Sequence, residues 1–296
     1  MKSLLRSLVL VTVTLLTQSH VFSQVLETRD FVSIRDTAQH VIRSRNVDET
    51  FRIDVGLPYN YSETDLSYPV VYVVDANGTF PIVLGNLRSL QLLGELPEVI
   101  LIGIGYNDPN ERFSSRNRDL TPTNDPVWGE NRRRAPPRYA MAEDISTGGA
   151  EAYFNFIEEE VKPYISQTYR TDESSRTITG YSFGGLFGLY VLFNHSDSFD
   201  NYVLGSPSIY WDSRVSLSYE QNYADRENDL SKQVFIAMGG NESDEVRGNA
   251  EDLYNRLVSR SYPRLEIEYN VYEGETHLSG IGVMLNNGLR FIFSED

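Results

Sequence analysis

The apolar positions of the chain fall into short blocks whose spacing predicts alternating strands and helices. Runs of β-branched residues, or strict apolar–polar alternation, are typical of strands, and apolar residues recurring every three or four positions are typical of helices. These patterns predict strands at 52–57, 69–74, 98–106, 176–180, 202–205, 233–238 and 265–272. They predict helices at 83–93, 149–168, 184–193, 246–260 and 281–293. This alternation indicates an α/β fold with a mostly parallel sheet and helices on both faces.

One segment interrupts the alternation. Residues 107–148 are rich in proline and polar residues and show little periodicity. Loops of this length are uncommon inside a compact domain unless they serve a function. We therefore predict one domain over residues 24–296, in which residues 107–148 form a long insertion that acts as a cap over a functional site.

The N-terminal residues have a pattern of their own. Lys2 and Arg6 precede an apolar run from Leu8 to Leu16, and the small residue Ser23 follows. This order is typical of a secretory signal peptide, and the run is about half the ~20 residues that a membrane span needs. We predict that residues 1–23 are cleaved, that the mature chain has no membrane span, and that the protein is secreted or periplasmic.

Composition narrows the possible chemistry. The chain has 296 residues, no cysteine and a formal net charge of −16 at pH 7. The lack of thiols excludes cysteine nucleophiles and thiolate metal sites, and a chain of this length can bury a large core without disulfides. The negative charge opposes binding to nucleic acid. Because no ligand cluster with metal spacing is evident, we expect neither a metal nor another cofactor.

A candidate nucleophile lies between a predicted strand and a predicted helix. Residues 180–184, Gly-Tyr-Ser-Phe-Gly, match the pattern G-x-S-x-G. In a nucleophile elbow the turn is strained, so the residues two positions from the serine must be small. The alternative is a tight turn required only by packing. Because the flanking elements are those that an elbow needs, we predict Ser182 as a nucleophile.

A serine nucleophile needs a base, and two histidines follow it in the chain. His195 ends the helix that starts at the elbow, where the helix dipole alone favours a histidine. His277 follows the strand 265–272, and a loop there can reach the edge of the sheet. We predict His277 as the base, the alternative being an ordinary surface histidine.

The third member of such a site is an acid, expected in the chain order Ser, acid, His. The loop after the strand 233–238 offers Glu242, Asp244 and Glu245. An acid there would hold the imidazole tautomer and stabilise the imidazolium. We predict Glu242, with Asp244 next, because acidic residues in this loop have the alternative role of capping the following helix.

An oxyanion hole requires two backbone N–H groups. Phe183, directly after the serine, is expected to supply one, and the loop after the strand 69–74 the other. In that loop we predict Asn77, with Ala76 as the alternative. Residues 75–78 also have the composition of a simple turn.

Six stretches, taken in order, resemble one family. They are YVVDANGTF, RDLTPT, TGGAEAYFNFIEEEVKPYI, GYSFGGLFGLY, GSPSIYWD and GETHLSGIGVMLNNGLRFIF. Together they resemble the "putative esterase" family of α/β-hydrolases, which includes the siderophore (enterobactin-type) esterases and, more distantly, S-formylglutathione hydrolases and mycolyltransferases. The resemblance covers most of the mature chain. It implies the α/β-hydrolase fold, an esterase activity, and the roles predicted for Ser182, His277, Asn77 and Phe183.

Three further residues are predicted to contact the substrate. Arg118 lies in the stretch that resembles the family's Arg-Asp-x-Thr-Pro motif. Tyr181 stands where the family commonly has histidine, and it tunes either packing or the rim of the site. Trp211 either lines an aromatic acyl or catechol pocket or belongs to the core beneath the cap. Ala76, where the family usually has glycine, is a second departure.

These predictions describe a secreted serine hydrolase that cleaves carboxylic esters of small molecules through an acyl-serine intermediate. One alternative is acyl transfer to an acceptor other than water on the same residues. Another, from a different class, is a binding module that keeps the fold without catalysis. The sequence leaves open the acyl and alcohol parts of the substrate.

Overall fold

A computed structural model of the chain describes residues 33–108, 112–133 and 146–294. The chain from Asp36 onward forms one compact unit, and residues 33–35, which belong to a separate unit, carry no helix or strand. The predicted signal peptide and parts of the predicted cap lie outside the described residues. No helix in the described ranges has the length and apolar character needed to cross a membrane.

Within the described residues, the compact unit is built on one eight-stranded sheet. The strands are β1 (Thr37–Arg43), β2 (Thr50–Gly56), β3 (Tyr68–Val74), β4 (Ile100–Tyr106), β5 (Thr171–Tyr181), β6 (Asn201–Gly205), β7 (Lys232–Gly239) and β8 (Leu265–Tyr272). Their order across the sheet is β1-β2-β4-β3-β5-β6-β7-β8. The β1–β2 and β2–β4 pairs are antiparallel, and the others are parallel.

Helices pack on both faces of this sheet. They are α1 (Ala76–Gln91), α2 (Arg112–Asp119), α3 (Pro126–Arg133), α4 (Ala150–Phe156), α5 (Lys162–Thr168), α6 (Phe183–Asn194), α7 (Trp211–Ala224), α8 (Asp244–Arg260) and α9 (Ile281–Phe293). α1 and α9 bury apolar side chains against one face, and α4, α5, α6 and α8 against the other.

β3 shows why the central strands are apolar throughout. Val70, Tyr72 and Val74 belong to one core, and Val71 and Val73 belong to the other. All five side chains are at most 3 % exposed. Parallel strands covered by helices bury both sets of alternating side chains, so the prediction of a mostly parallel sheet is confirmed.

Two predicted helices differ from the observed ones. α1 begins at Ala76, earlier than the predicted start at residue 83, because the chain enters the helix directly after Asp75, which has φ 56°. The predicted turn at 75–78 is therefore the junction between β3 and α1. The predicted helix 149–168 is divided by a π-helical turn at Ile157–Val161. Pro163 follows this turn, and its lack of a backbone N–H explains the break in the hydrogen-bond pattern.

Four elements have weak sequence signals. β1 is an edge strand whose residues alternate only between exposed and half-buried positions. α2 and α3 lie in the cap segment, where the sequence predicts no periodicity. α7 begins with residues in a left-handed conformation. Short polar helices of this kind depend on tertiary packing rather than on their own propensity.

Candidate active site

The candidate site lies where the order of the strands reverses. β3 and β5 are neighbours, but β3 connects toward β4 on one side and β5 toward β6 on the other. Loops at the carboxyl ends of parallel strands meet at such a point and form ligand sites. Asn77, Ser182, Glu242 and His277 follow β3, β5, β7 and β8 respectively, and they therefore lie at this edge.

Ser182 occupies a strained turn between β5 and α6. Its backbone has φ 60° and ψ −116°, a region that non-glycine residues adopt only when the surroundings impose it. The amide of Ser182 donates to Gly205 O at 2.9 Å. A Cβ on Gly180 would lie 2.3 Å from the backbone of Gly184. The predicted strand–turn–helix geometry is present, and it depends on glycine at position 180.

Glu242 and His277 are in direct contact. Glu242 Oε2 lies 2.7 Å from His277 Nδ1. A carboxylate can only accept, so Nδ1 carries a proton, and in the neutral imidazole Nε2 has the lone pair. Asp244 is instead paired with Arg247, and its side chain is 97 % exposed. Of the acids predicted in this loop, the structure brings Glu242 to the histidine.

The second oxygen of Glu242 is also held. Oε1 accepts a hydrogen bond from Gly239 N at 2.9 Å and another from Ser206 Oγ. Burial raises the pKa of Glu242, but the hydrogen bonds from His277, Ser206 and Gly239 outweigh burial and leave this pKa below its ordinary value. The carboxylate therefore stays ionised at neutral pH.

The imidazole lies beside the elbow. The His277 ring centroid is 5.3 Å from that of Tyr181, the residue before the serine. Among the described residues, the hydrogen-bonding neighbour of the Ser182 hydroxyl is Ser208 Oγ, at 3.5 Å, and not His277. Hydrogen bonds between nucleophile and base are often long before substrate binds and shorten in the reacting complex.

Two helix N-termini face the same edge. α1 begins at Ala76 and α6 at Phe183, and the first amides of a helix have no intrahelical partner. The Asn77 side chain is fixed to β4, because Nδ2 donates to Tyr106 O at 2.9 Å and Oδ1 accepts from Tyr106 N at 2.8 Å. A Cβ on Gly105 would lie 3.0 Å from Asn77 Oδ1. These contacts hold the start of α1 in place.

Arg118 is held by two acidic side chains at the base of the cap. Its guanidinium donates to Asp119 Oδ1 at 2.6 Å and also to Glu49. Gly149 N donates to Arg118 O at 2.8 Å, and a Cβ on Gly149 would lie 2.9 Å from the Arg118 side chain. The contact of Arg118 with substrate stays a prediction. Arg118 joins the base of the cap to the start of α4.

Asp119 is the buried partner in this cluster. It has no exposed surface, and burial raises its pKa to about 6 although the hydrogen bond from Arg118 opposes the rise. A buried carboxylate of this kind depends on its cation.

Arg116 is the cap arginine that lies next to the predicted oxyanion residues, and it was not among the predicted site residues. Its Nε donates to Asp75 Oδ2 at 2.9 Å, and its guanidinium is 5.1 Å from the Phe183 ring centroid. Residues two positions apart on a helix point in different directions, so Arg116 and Arg118 serve different surfaces. Arg116 lies in the same stretch of sequence as Arg118, but the sequence does not indicate which face of α2 is buried.

Trp211 belongs to an aromatic cluster under the cap. It is 1 % exposed, and its Nε1 donates to Thr123 Oγ1 at 3.0 Å. The rings of Trp211, Phe183 and Trp128 have centroids 5.2 to 5.5 Å apart. The structure thus places Trp211 in the core beneath the cap, the second of the two predicted alternatives. Half-buried Trp128 on α3, which was not among the predicted site residues, is the outer member of the cluster.

Tyr181 lies behind the acid rather than at the rim. It is 5 % exposed, and its hydroxyl donates to Ser206 Oγ at 3.1 Å. A Cβ on Gly205 would lie 2.5 Å from the Tyr181 ring, so the neighbouring strand makes room for this side chain. Of the two roles predicted for Tyr181, this placement favours packing.

The arrangement combines a strained serine, an imidazole with its Nε2 lone pair available, and amides at two helix N-termini. Nucleophile, base and oxyanion donors at one sheet edge are the requirements of acyl transfer. In the described part of the chain, no three His, Cys, Asp or Glu side chains lie close enough together to hold a metal ion.

Comparison with known proteins identifies the class as a hydrolase. The family model described as "Putative esterase" matches residues 44–278. The ferri-bacillibactin esterase BesA of Bacillus subtilis (strain 168) is 32% identical over 282 residues, which are 91% of this chain and 93% of that protein. The siderophore enterobactin esterase of Emericella nidulans is 29% identical, over 83% of this chain and 90% of that protein. The chain belongs to the "Putative esterase" family, and it is an esterase.

Solved structures agree with this assignment. The BES protein from Bacillus cereus superposes with a TM-score of 0.78 at 29% identity, over 91% of this chain and 100% of that one. The siderophore hydrolase EstA from Aspergillus nidulans gives 0.73 at 28% identity, over 90% and 98%. The predicted α/β-hydrolase fold is confirmed, as is the resemblance to siderophore esterases carried by the six sequence stretches.

Proposed function

We propose that the protein is a serine esterase in which Ser182 attacks the ester carbonyl, His277 is the general base and Glu242 orients His277. The observation that carries this proposal is the 2.7 Å contact between Glu242 and His277 Nδ1, at the same sheet edge as the strained serine. It directs the lone pair of Nε2 away from the acid. A serine hydroxyl becomes an effective nucleophile only when such a base takes its proton.

The reaction follows from these positions. As the Ser182 Oγ–carbon bond forms, the hydroxyl proton passes to His277 Nε2, and the N–H groups of Phe183 and Asn77 stabilise the oxyanion. The bond to the alcohol then breaks, and the alcohol leaves with the proton from His277. Water repeats the sequence on the acyl-serine, which releases the acid and restores the serine hydroxyl.

We further propose that the substrate is a siderophore ester. Two kinds of support exist: relatives matched over most of their length carry siderophore ester activities in their names, and an aromatic cluster adjoins the elbow. The rings of Phe183 and Trp128 lie 5.5 Å apart under the cap. Aromatic groups of a ligand pack favourably against such rings in offset or edge-on geometry.

We also propose that the protein is exported as residues 24–296. This proposal rests on the sequence pattern of residues 1–23, which lie outside the described residues. N-terminal sequencing of the protein from its native host tests it. A mature chain beginning near Gln24 is expected, and a retained Met1 contradicts export by cleavage.

The decisive experiment for the reaction is covalent labelling. A fluorophosphonate should modify Ser182, as mapped by mass spectrometry, and Ser182→Ala should lower kcat/KM for p-nitrophenyl acetate by about 10⁴-fold or more. Ser216→Ala is a matched control, because the Ser216 hydroxyl is buried without a partner in the described structure. A label on another residue, or equal activity of Ser182→Ala and the wild type, would overturn the assignment.

The same preparation tests the substrate. Hydrolysis of a catecholate trilactone should be more efficient than hydrolysis of p-nitrophenyl acetate, and products are separated by chromatography. Trilactone turnover no faster than that of the simple ester contradicts the siderophore proposal while leaving the serine mechanism in place. A new ester formed with an added alcohol would assign acyl transfer instead.

A further inference from the structure

Two buried hydroxyl groups extend the line of hydrogen bonds behind the acid. Ser206 Oγ contacts Glu242 Oε1, and the Tyr181 hydroxyl lies 3.1 Å from Ser206 Oγ. Ser206 is 1 % exposed. The line therefore runs from the α9 side of the core, through two hydroxyls and one carboxylate, to the imidazole of His277.

The hydrogen bond between Ser206 and Glu242 has only one possible direction. An ionised carboxylate only accepts hydrogen bonds, so the Ser206 hydroxyl must donate its single proton to the hydrogen bond with Glu242. The Ser206 oxygen is then left to accept from Tyr181, which stays protonated because burial raises its pKa. Glu242 Oε2 remains for His277 Nδ1. Glu242 therefore accepts from His277 Nδ1, and this hydrogen bond selects the tautomer of His277 that can act as a base.

The backbone around Ser206 is built to keep this hydroxyl in place. Ser206 has φ 39°, in the left-handed region where glycine fits without strain and other residues do not. Its amide donates to Ala237 O at 2.7 Å. A strained position that carries serine rather than glycine indicates that the side chain is needed there, and its hydroxyl reaches Glu242.

We propose that Ser206 and Tyr181 are positioning residues for the acid of the triad, which hold the Glu242 carboxylate in the orientation that receives His277. The consequence for catalysis rests on the proposed function, whereas the positioning itself rests on the contacts alone. The competing explanation is that both hydroxyls only satisfy one another in a buried space, without effect on Glu242.

Among the described residues, the titratable groups that act on this line include His277, Tyr269 and Glu275. His277 and the hydrogen-bond donors Ser206 and Gly239 act on Glu242, and Glu275 adds a second negative charge near Tyr181. Met284 on α9 closes the other side with its uncharged sulfur, 3.6 Å from the Tyr181 hydroxyl. Loss of the Ser206 donor should therefore raise the pH at which Glu242 takes up a proton.

The test compares Ser206→Ala and Tyr181→Phe with two matched controls, Ser216→Ala and Tyr202→Phe. The control hydroxyls are also buried, and neither has a hydrogen-bond partner within the described structure. The first measurement is the pH at which the downfield His277 Nδ1–H proton resonance is lost in NMR spectra. The second is the titration midpoint of the Glu242 side-chain carboxyl carbon in ¹³C NMR spectra.

We expect Ser206→Ala to raise both midpoints by about one pH unit, since a hydrogen bond to a charged group contributes on that scale. Tyr181→Phe should raise them by less, because it weakens the Ser206 donor without removing it. The two control variants should keep the wild-type midpoints.

Midpoints of Ser206→Ala and Tyr181→Phe equal to those of the controls would overturn the proposal, even if both variants were slower. The resonance needs no turnover, so an inactive wild type contradicts the proposed function while the NMR measurement still decides on positioning. Tyr181→Phe keeps the buried ring, so it supplies the result if Ser206→Ala does not fold.

Discussion

The two sides of the candidate site are held by different kinds of contact. On the catalytic side, which comprises Tyr181, Ser206, Glu242 and His277, each polar group has a directional hydrogen bond at the end of a strand. On the cap side, which comprises α2, α3 and the residues they touch, ion pairs and aromatic faces predominate. Directional bonds fix orientation, whereas ion pairs and ring contacts mainly exclude water and stabilise the fold.

This difference predicts different responses to substitution. A change on the catalytic side should slow the reaction with little effect on stability, because its side chains are supported by the backbone of the sheet. A change at the base of the cap should lower stability first, because a buried charge loses its partner. Substitutions on each side test this difference.

The largest effect is expected for Glu242→Gln. The amide keeps the shape of the side chain but can hold His277 in the wrong tautomer, so kcat/KM should fall by about 10³- to 10⁴-fold. Asp244→Asn is the control, because Asp244 is 97 % exposed and pairs with Arg247. The measurement is hydrolysis of p-nitrophenyl acetate, with thermal unfolding to show that the fold is kept. An equal loss in Asp244→Asn would contradict the assignment of the acid.

Much of the catalytic side was predictable from sequence. The chain order of a serine, an acid and a histidine, each after a strand, already placed Glu242 and His277 at one sheet edge. What the sequence could not show was the direction of Tyr181. Alternate residues of a strand point to opposite faces, but both faces of this sheet are buried, so the apolar pattern does not say which core receives the ring.

The cap side was much less predictable. α2 is mostly polar and has no apolar stripe from which its buried face could be read, so the resemblance pointed to Arg118 and passed over Arg116. Trp211 precedes a turn in which Asp212, Ser213 and Arg214 all have positive φ. Without glycine at these positions the sequence gives no sign of a left-handed turn, and the burial of Trp211 could not be derived.

An intermediate effect is expected for Arg118→Gln, and on stability rather than on the reaction. The substitution leaves Asp119 buried without its cation, so the free energy of unfolding should fall by about 3 kcal/mol, as is typical when one partner of a buried pair is removed. Urea unfolding measures this loss. Arg112→Gln, on the same helix, is the control and should change stability by less than about 0.5 kcal/mol. A large rise in KM with unchanged stability would instead support the predicted contact of Arg118 with substrate.

The effect of Arg118→Gln should also depend on pH. The pKa of Asp119 in the folded protein is raised from 3.8 to about 6, so the folded state binds this proton more tightly than the unfolded chain. This carboxyl therefore lowers the free energy of unfolding as pH rises from about 4 to 6. Without Arg118 the ionised form is disfavoured further. The destabilisation should be larger at pH 8 than at pH 5, and an equal loss at both pH values contradicts the role of Asp119.

The smallest effect is expected at the left-handed turn that leads from Trp211 into α7. Ser213 is exposed and has φ 54°, so Ser213→Gly should relieve strain and stabilise the protein by about 0.5 to 1 kcal/mol. Ser218→Gly, exposed in the right-handed part of the same helix, should instead destabilise it by about 0.5 kcal/mol. Thermal unfolding distinguishes the two signs.

The activity of Ser213→Gly completes the comparison of the two sides. If the turn serves to hold Trp211 against Phe183, added freedom at residue 213 should raise KM by about twofold to fivefold at unchanged kcat, a difference of ~1 kcal/mol or less. An unchanged KM together with higher stability would mean that the strain is unrelated to the aromatic cluster. A fall in kcat alone would instead show that the turn acts on the nucleophile elbow through Phe183. The division between a catalytic side and a cap side would then not hold at residue 213.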